Sequence, residues 1–245
     1  MLLSPGVSAA VDLKLSVHSA ILMDMTTGRV LLSHNADDPL QPASIAKVLS
    51  LYLADEAIRE GRVRPTDPVK ISRKAQRTGG SKMFLQAGSE IPLQDLLKGM
   101  AVVSANDASV AVAEYLGGNV ENFVKQMNGK ARELGMNNSC FKNPNGLPAR
   151  GQFTTARDML VLACDYLRQF PECLELHSQQ YFTYRDITQR NRNSLLRRYP
   201  DADGLKTGWV VQAGYHIVAT AKRGKTRLIA VLMGAKTPSI RTRET

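Results

Sequence analysis

The sequence has no run of about 18 apolar residues, the length a helix needs to cross a bilayer, so it holds no helical membrane span. Cysteine is scarce and odd in number. Cys140, Cys164 and Cys173 cannot all pair with one another, and their spacings match no zinc pattern. The histidines are few as well: His18, His34, His177 and His216 are dispersed and form no H-E-x-x-H pair. A metal hydrolase is therefore unsupported, and each histidine reads as a surface or packed side chain. "GKT" at 224 to 226 lacks the upstream glycine of a phosphate loop, because position 219 holds Ala219. No internal repeat or low-complexity tract is present, and 43% hydrophobic content is that of an ordered globular chain.

Acidic residues are outnumbered. The chain has 32 Lys and Arg against 22 Asp and Glu, a net charge of +10. Such a field favours polyanions, whether nucleic acid, anionic lipid or acidic wall polymer. The basic groups around Arg190 and Arg192, Arg197 and Arg198, and "AKRGKTR" at 221 to 227 are scattered and have no interleaved exposed aromatics. They read as a solvated basic face rather than a nucleic-acid track. At the other extreme of the chain, "MLLSPGVSAA" lacks a basic start, yet "GVSAA" is small and apolar like a cleavage region, which reads as a secretion remnant or a plain terminus.

What is present has a clear order. "SAILMDMTTGRVLLSH" (19 to 34) predicts a hairpin turning at Thr26-Thr27-Gly28, with Ile21, Leu22, Val30 and Leu31 buried. After Pro42, the positions Ile45, Val48, Leu49, Tyr52 and Leu53 follow helical spacing, and Gly61 stops the helix. The stretch 62 to 92 is rich in charge, Gly and Pro, with "RTGGSKMF" as a flexible tip. Helical patterns follow: a stripe of Leu93, Leu96, Leu97 and Met100, a helix over Ala108 to Leu116, and one marked by Phe123, Met127, Lys130 or Ala131, and Leu134 and closed by Gly135. "FKNPNGLPARGQF" is a turn-rich crossover, Thr155 opens a further helix that Pro171 ends, and the last third reads as β again. There "GYHIVATA" and "TRLIAVLMG" form an antiparallel hairpin across "KRGK". β segments at both ends imply one sheet assembled around an inserted helical lobe.

Three short patterns carry chemistry. Ser44-Ile45-Ala46-Lys47 puts a hydroxyl and an amine on one helix face. A serine becomes a nucleophile only when a neighbour takes its proton, and a lysine does so only when neutral. That requires Lys47 to drop about three units from about 10.4, roughly 4 kcal/mol, through burial and a second cation. The bland alternative is a helix start, and Ser139-Cys140-Phe141-Lys142 repeats the spacing in a loop. Ser104-Ala105-Asn106 interrupts two helical patterns and could present a hydroxyl and an amide to a cleft, or merely cap a helix. Ser33-His34-Asn35 has the same form. "DGLKTGW" at 203 to 209 offers Lys206, Thr207 and Gly208 before a hairpin, where lysine and threonine can hold a carboxylate and glycine permits close approach, or where a strand simply ends.

Taken together and in this order, S-x-x-K, S-x-N and K-T-G resemble the penicillin-binding and serine β-lactamase superfamily. The wider stretches "MDMTTGRVLLSHNADDPLQPASIAK", "GGSKMFLQAGSEIPLQDLLKGMAVVSANDA", "NPNGLPARGQFTTARDM", "NRN" at 191 to 193 and "DGLKTGWVVQAGYHIVATA" resemble the low-molecular-mass D-alanyl-D-alanine carboxypeptidases over nearly all of 19 to 235. The resemblance implies an α+β fold, a mainly antiparallel β-sheet flanked by helices, with an inserted all-helical lobe. It implies one DD-peptidase catalytic domain over 1 to 245, with a sheet lobe at about 11–62 and 150–245 and a helical lobe at about 63–149.

By the same resemblance, Ser44 is the nucleophile and Lys47 its base. Ser104 relays a proton to the leaving amine, Lys206 helps keep Lys47 neutral, and Asn106 binds the substrate amide. The backbone N–H groups of Ser44 and Trp209 form the oxyanion hole. Thr207 and Lys206 bind the terminal carboxylate, Gly208 and Trp209 line the substrate site with them, and Arg241, with Arg243 as the alternative, is the arginine that family members add after the last strand. The substrates implied are peptidoglycan stem peptides, with β-lactam antibiotics as inhibitors, no cofactor, no metal and no nucleic acid. The location implied is extracytoplasmic, reached through a signal peptide, with membrane association only through segments outside this chain.

Two departures stand out. The residues after K-T-G are Trp209 and Val210, where the family often has His or Tyr and then Thr; an indole at the rim could narrow substrate choice or slow deacylation. The family's further helix on the sheet, small β domain and amphipathic anchor are not evident, so the expectation is a sheet without its covering helix. Among rivals, a class A β-lactamase usually carries S-D-N and a loop glutamate, whereas Ala105 is the middle residue here and no E-x-x-x-N occurs between 145 and 185. A DD-endopeptidase uses the same machinery, and a wall-binding module would not need all five polar residues.

Overall fold

A computed structural model of the chain describes residues 14–245; the stretch read as a secretion remnant lies outside them. The N-terminal hairpin, β1 (Ser19–Asp24) and β2 (Arg29–His34), is followed by a tight 3-10 turn, Ala43–Ala46, that runs into α1 (Lys47–Arg59). A second region comprises β3 (Pro68–Lys70), α2 (Arg73–Arg77), β4 (Glu90–Pro92) and α3 (Leu93–Lys98), then a π turn over Gly99–Val103, α4 (Asn106–Gly117) and α5 (Val120–Glu133). The chain returns through α6 (Ala156–Gln169), α7 (Cys173–His177), a small hairpin β5 (Tyr181–Tyr184) and β6 (Ile187–Arg190), and α8 (Leu195–Arg198). Three long strands and a short helix follow: β7 (Ala202–Val210), β8 (Gly214–Arg223), β9 (Thr226–Ala235) and α9 (Pro238–Glu244).

The main sheet is antiparallel in the order β2-β1-β9-β8-β7, so the first hairpin is zipped onto the last strand. β1 pairs with β9 from Ser19 opposite Met233 to Asp24 opposite Leu228. Alternate residues of these strands face two different cores. Ile21, Val218, Ile229, Val231 and Met233 join the large core with α1 and α6, while Ala20, Ile217, Ala219, Ala230 and Leu232 form a smaller outer core with Leu195. Burial on both faces explains why residues 228–233 of "TRLIAVLMG" read as an unbroken apolar run. β7, which carries K-T-G, is an edge strand with one side open.

Several sequence expectations need correction. Val30 and Leu31 are 42% and 47% exposed rather than buried, because β2 is the outermost strand and α6 packs on β1 and β9. The "RTGGSKMF" stretch is no flexible tip: the Asp107 carboxylate accepts the Met83 and Leu85 N–H groups, each at 3.1 Å, and the Met83 side chain is fully buried. The inserted lobe is mainly helical but includes the antiparallel β3–β4 pair, with Val69 opposite Ile91. Residues 173–198 are two short helices and a hairpin rather than part of the main sheet. The outer face of the sheet is not bare. α9 crosses β8 and β9, with the Thr237 hydroxyl capping it by accepting the Ile240 N–H at 3.1 Å and Ile240 packed on the outer core. No helix among the described residues is long and apolar enough to cross a membrane.

Candidate active site

Ser44 sits in the 3-10 turn and Lys47 opens α1, so the serine and lysine are brought together by local chain geometry. The Lys47 Nζ lies 2.9 Å from the Ser44 Oγ. It also donates to the Asn106 Oδ1 and to the Asn145 carbonyl, both at 2.7 Å, so all three donor positions of an ammonium are used. Lys47 is completely buried, and no carboxylate bonds to its Nζ. Burial first, and then the charge of Lys206, hold its pKa well below the ordinary lysine value, against a smaller opposing pull from Asp107.

Asn106 is fixed at the start of α4 by the loop at 79–81, which lies ahead of β4 and α3 in the chain. Its backbone N–H donates to the Ser81 carbonyl at 2.7 Å, and its Nδ2 donates to the Gly79 carbonyl at 2.7 Å. Gly80, at φ +80°, makes this contact possible, since a Cβ there would stand 2.5 Å from the Asn106 Nδ2. Ser104 ends the π turn in the left-handed region, φ 66° and ψ 32°, a conformation uncommon for a non-glycine residue and concentrated at functional positions. It lines the cleft together with Ser44.

β7 closes the other side. Lys206 is buried, with Nζ 3.0 Å from the Thr207 carbonyl, and burial together with the Arg192 and Arg241 guanidiniums pushes its pKa down to about 7. Gly208 lets the strand run directly beside Ser44: a Cβ there would lie 3.0 Å from both the Ser44 N and the Ala43 Cβ. The cavity of about 510 Å³ between these elements is lined by Ser44, Ser104, Thr207, Gly208, Trp209 and Arg241, and also by Ser81, Arg192, Ser194, Tyr215 and Pro238. Lys47, Asn106 and Lys206 stand behind this lining as buried groups.

Arg241 and Arg243 are separated by the helix they share. Arg241 turns into the cleft, 94% buried by its 6% exposure, with Nη2 3.4 Å from the Ser194 Oγ and a buried Nε without a partner. Arg243 faces a depression on the outer side of the sheet and pairs with Glu244. The structure therefore brings together Ser44, Lys47, Ser104, Asn106, Lys206, Thr207, Gly208, Trp209 and Arg241, and leaves Arg243 out. The competing copies of the patterns lie elsewhere. The Ser139 hydroxyl bonds to the Asp158 carboxylate at 2.7 Å, and Asn35 donates to the His18 carbonyl near β2.

Sequence reasoning placed "NRN" among the stretches of the resemblance but read Arg192 as part of a solvated basic face, whereas the structure puts it in the lining of the cleft. The Asn191 Nδ2 donates to the Gln179 carbonyl at 2.7 Å, and the Asn193 Nδ2 donates to the Gly204 carbonyl at 3.3 Å, which pins the loop against β7 and presents Arg192 to the cleft. Sequence reasoning missed the support given by two buried histidines. The His177 Nδ1 lies 3.1 Å from the Leu205 carbonyl, next to Lys206, and burial lowers its pKa to about 4. His216 donates from Nε2 to the Gln41 carbonyl at 2.9 Å and accepts the Gly234 N–H on Nδ1 at 3.0 Å.

Comparison with known proteins gives the family of the chain. The profile of the family described as D-alanyl-D-alanine carboxypeptidase matches residues 6–237. The chain is 42% identical over 229 residues to the D-alanyl-D-alanine carboxypeptidase DacF of Bacillus subtilis, covering 91% of this chain and 58% of the relative. It is 42% identical over 231 residues to DacC of Escherichia coli, again with 91% and 58% coverage. The chain thus spans a little over half the length of these curated relatives. Among solved structures, penicillin-binding protein 5 of Haemophilus influenzae superposes with a TM-score of 0.93 at 37% identity, covering 96% of this chain and 70% of that one. Penicillin-binding protein D2 of Listeria monocytogenes, in its ampicillin-bound form, superposes with a TM-score of 0.87 at 28% identity, covering 96% of each chain. A profile match over nearly the whole chain, on a fold shared with penicillin-binding proteins, shows that the chain belongs to the D-alanyl-D-alanine carboxypeptidase family.

Proposed function

We propose that this chain is a serine-type D-Ala-D-Ala carboxypeptidase that removes the terminal D-alanine from peptidoglycan stem peptides. The observation that carries the reading is the fully buried Lys47, 2.9 Å from the Ser44 hydroxyl, with its charge disfavoured by burial and by Lys206. Neutral Lys47 takes the Ser44 proton as Oγ attacks the penultimate D-alanine carbonyl. The negative oxygen that forms points at the backbone N–H groups of Ser44 and Trp209, and loss of one such donor typically costs about 3 to 4 kcal/mol. Ser104 passes the proton to the departing amine, the C–N bond breaks, and D-alanine leaves. Water then attacks the ester on Ser44 and restores the hydroxyl.

Thr207 and Arg241 hold the terminal carboxylate, with Gly208 and Trp209 beside the reacting carbonyl and Asn106 on the substrate amide. The unpartnered Arg241 Nε and the absence of any acidic residue from the cavity lining suit an anionic group there. β-Lactams acylate the same serine in this reading, and the Listeria relative solved with ampicillin supports it. The work is placed on the extracytoplasmic side, where peptidoglycan lies.

The test is labelling with a fluorescent penicillin, followed by denaturation and peptide mass mapping, with Ser44→Ala as control. A stable adduct on Ser44 that is absent from the variant is expected. Rapid turnover of the penicillin without a lasting adduct would point to a β-lactamase instead. Folded protein that takes no label would overturn the enzymatic reading.

A further inference from the structure

The only tryptophan of the chain is not buried: Trp209 is 53% exposed at the mouth of the cleft. It is paired across β7 and β8 with Tyr215, their ring centroids 5.8 Å apart and tilted by 32°, so the two rings brace each other. Pro238 lines the same cavity and lies three residues before Arg241 on α9, which puts it on the same face of the helix as the carboxylate anchor. Trp209, Tyr215 and Pro238 are the cavity's apolar surface, and Arg192, Ser194 and Ser81 belong to its polar surface. A terminal D-alanine offers only a methyl group to a cavity of about 510 Å³.

We propose that Trp209, Tyr215 and Pro238 form an apolar wall that receives the side chain of the departing C-terminal residue, so that the enzyme releases terminal D-residues with larger apolar side chains, of the D-leucine or D-methionine kind, at least as well as D-alanine. The proposal rests on the carboxypeptidase reading and deepens it. The reaction is unchanged: the same amide C–N bond breaks, water supplies the oxygen of the new carboxylate, and the free D-amino acid leaves with the proton from its amide bond and the one relayed to it. What changes is the leaving residue. Its α-carboxylate stays on Thr207 and Arg241, and its side chain is taken from water onto two aromatic rings and a pyrrolidine. Discrimination by one methylene in an apolar site is about tenfold or more, so a wall of this kind shows in relative rates.

The experiment compares kcat/KM for acyl-D-Ala-D-Ala, acyl-D-Ala-D-Leu and acyl-D-Ala-D-Glu peptides in the unmodified protein, Trp209→Ala, Trp209→His and Tyr215→Leu. Penicillin acylation of Ser44 is measured in every sample as a check on folding and on the nucleophile. The expected result is a D-Leu to D-Ala ratio of about one or more, reduced about tenfold in Trp209→Ala and by a smaller factor in Tyr215→Leu. Trp209→His serves if Trp209→Ala loses acylation. Good turnover of D-Ala-D-Ala with rejection of D-Leu, or a ratio that no substitution changes, overturns the proposal. Preference for D-Glu overturns it too and assigns the side-chain site to Arg192. Failure of acylation and of every peptide in the unmodified protein sinks the carboxypeptidase reading itself.

Discussion

Gly146 lies directly against the backbone carbonyl of Ala43, and a Cβ on it would overlap that oxygen and stand 3.1 Å from the Ser44 N. Its φ of +79° is in the left-handed region, so both backbone shape and space demand glycine. The preceding residue, Asn145, supplies the carbonyl that accepts from Lys47. This loop is thus the rear support of Ser44 and Lys47. Gly146→Ala is expected to displace the 3-10 turn and slow penicillin acylation by about 10² or more, since small misplacements of reacting groups have effects of that size. Stopped-flow acylation together with a melting curve checks it; acylation at the normal rate would refute the packing argument.

Ser104 allows the hydroxyl and the backbone to be separated. Its left-handed φ of 66° suits glycine, so Ser104→Gly removes the hydroxyl while easing the backbone. D-alanine release should fall by about 10² to 10⁴, the usual value of a positioned proton-transfer group, without a drop in melting temperature. A variant that releases D-alanine normally would remove Ser104 from the proton path.

Lys206 has a pKa of about 7, lowered by burial and by the charges of Arg192 and Arg241. Its loss of a proton removes a charge that holds the Lys47 pKa down, so on the proposed mechanism the alkaline side of the acylation profile belongs to the coupled lysine pair. Arg192→Gln leaves one positive charge fewer facing Lys206, which raises its pKa and moves the alkaline limb to higher pH. Acylation rates from pH 5 to 10 test the sign, and an unmoved or lowered limb contradicts it.

His177 and His216 have pKa values of about 4 in the fold, against 6.5 for the free side chain. The unfolded chain therefore binds more protons between those values, and stability falls as the pH drops from about 6.5 to 4. Each histidine contributes about 3 kcal/mol over that window. Asp55 works the other way: burial raises its carboxyl from 3.8 to about 6, so the folded state gains protons there as the pH falls. A net loss of about 3 to 4 kcal/mol between pH 7 and pH 4 is expected from the three groups. Protonation of His216 on Nδ1 also removes the acceptor of the Gly234 N–H. Urea unfolding at several pH values should show this slope, reduced by about one proton in His216→Gln.

Asp107→Ala strands the Met83 and Leu85 N–H groups in a buried position, and two unmet donors typically cost about 1 to 3 kcal/mol each. The same change frees the 79–85 loop that grips Asn106. A lower melting temperature together with weaker acylation is expected, and an unchanged melting temperature would show that the loop is held by other contacts.

By itself the sequence determined what depends on neighbours along the chain. The spacing of Ser44 and Lys47, the stops at Gly61 and Gly135, the Thr155 cap and the last hairpin are local, because turns, caps and periodicity are set within a few residues. Resemblance supplied the roles that spacing left open among three weak patterns. Only the tertiary structure decided the rest. Lys47 owes its environment to Asn106 and Asn145, 59 and 98 positions away, and to Lys206 across the cleft. Arg241 and Arg243 look alike in sequence, and only the packing of α9 turns one inward and the other outward. Arg192 and the exposed Trp209 gain meaning from the walls they form with distant segments, and Val30 is exposed because the sheet ends at its strand. Burial and electrostatics are sums over neighbours in space, and those neighbours come from remote parts of the chain.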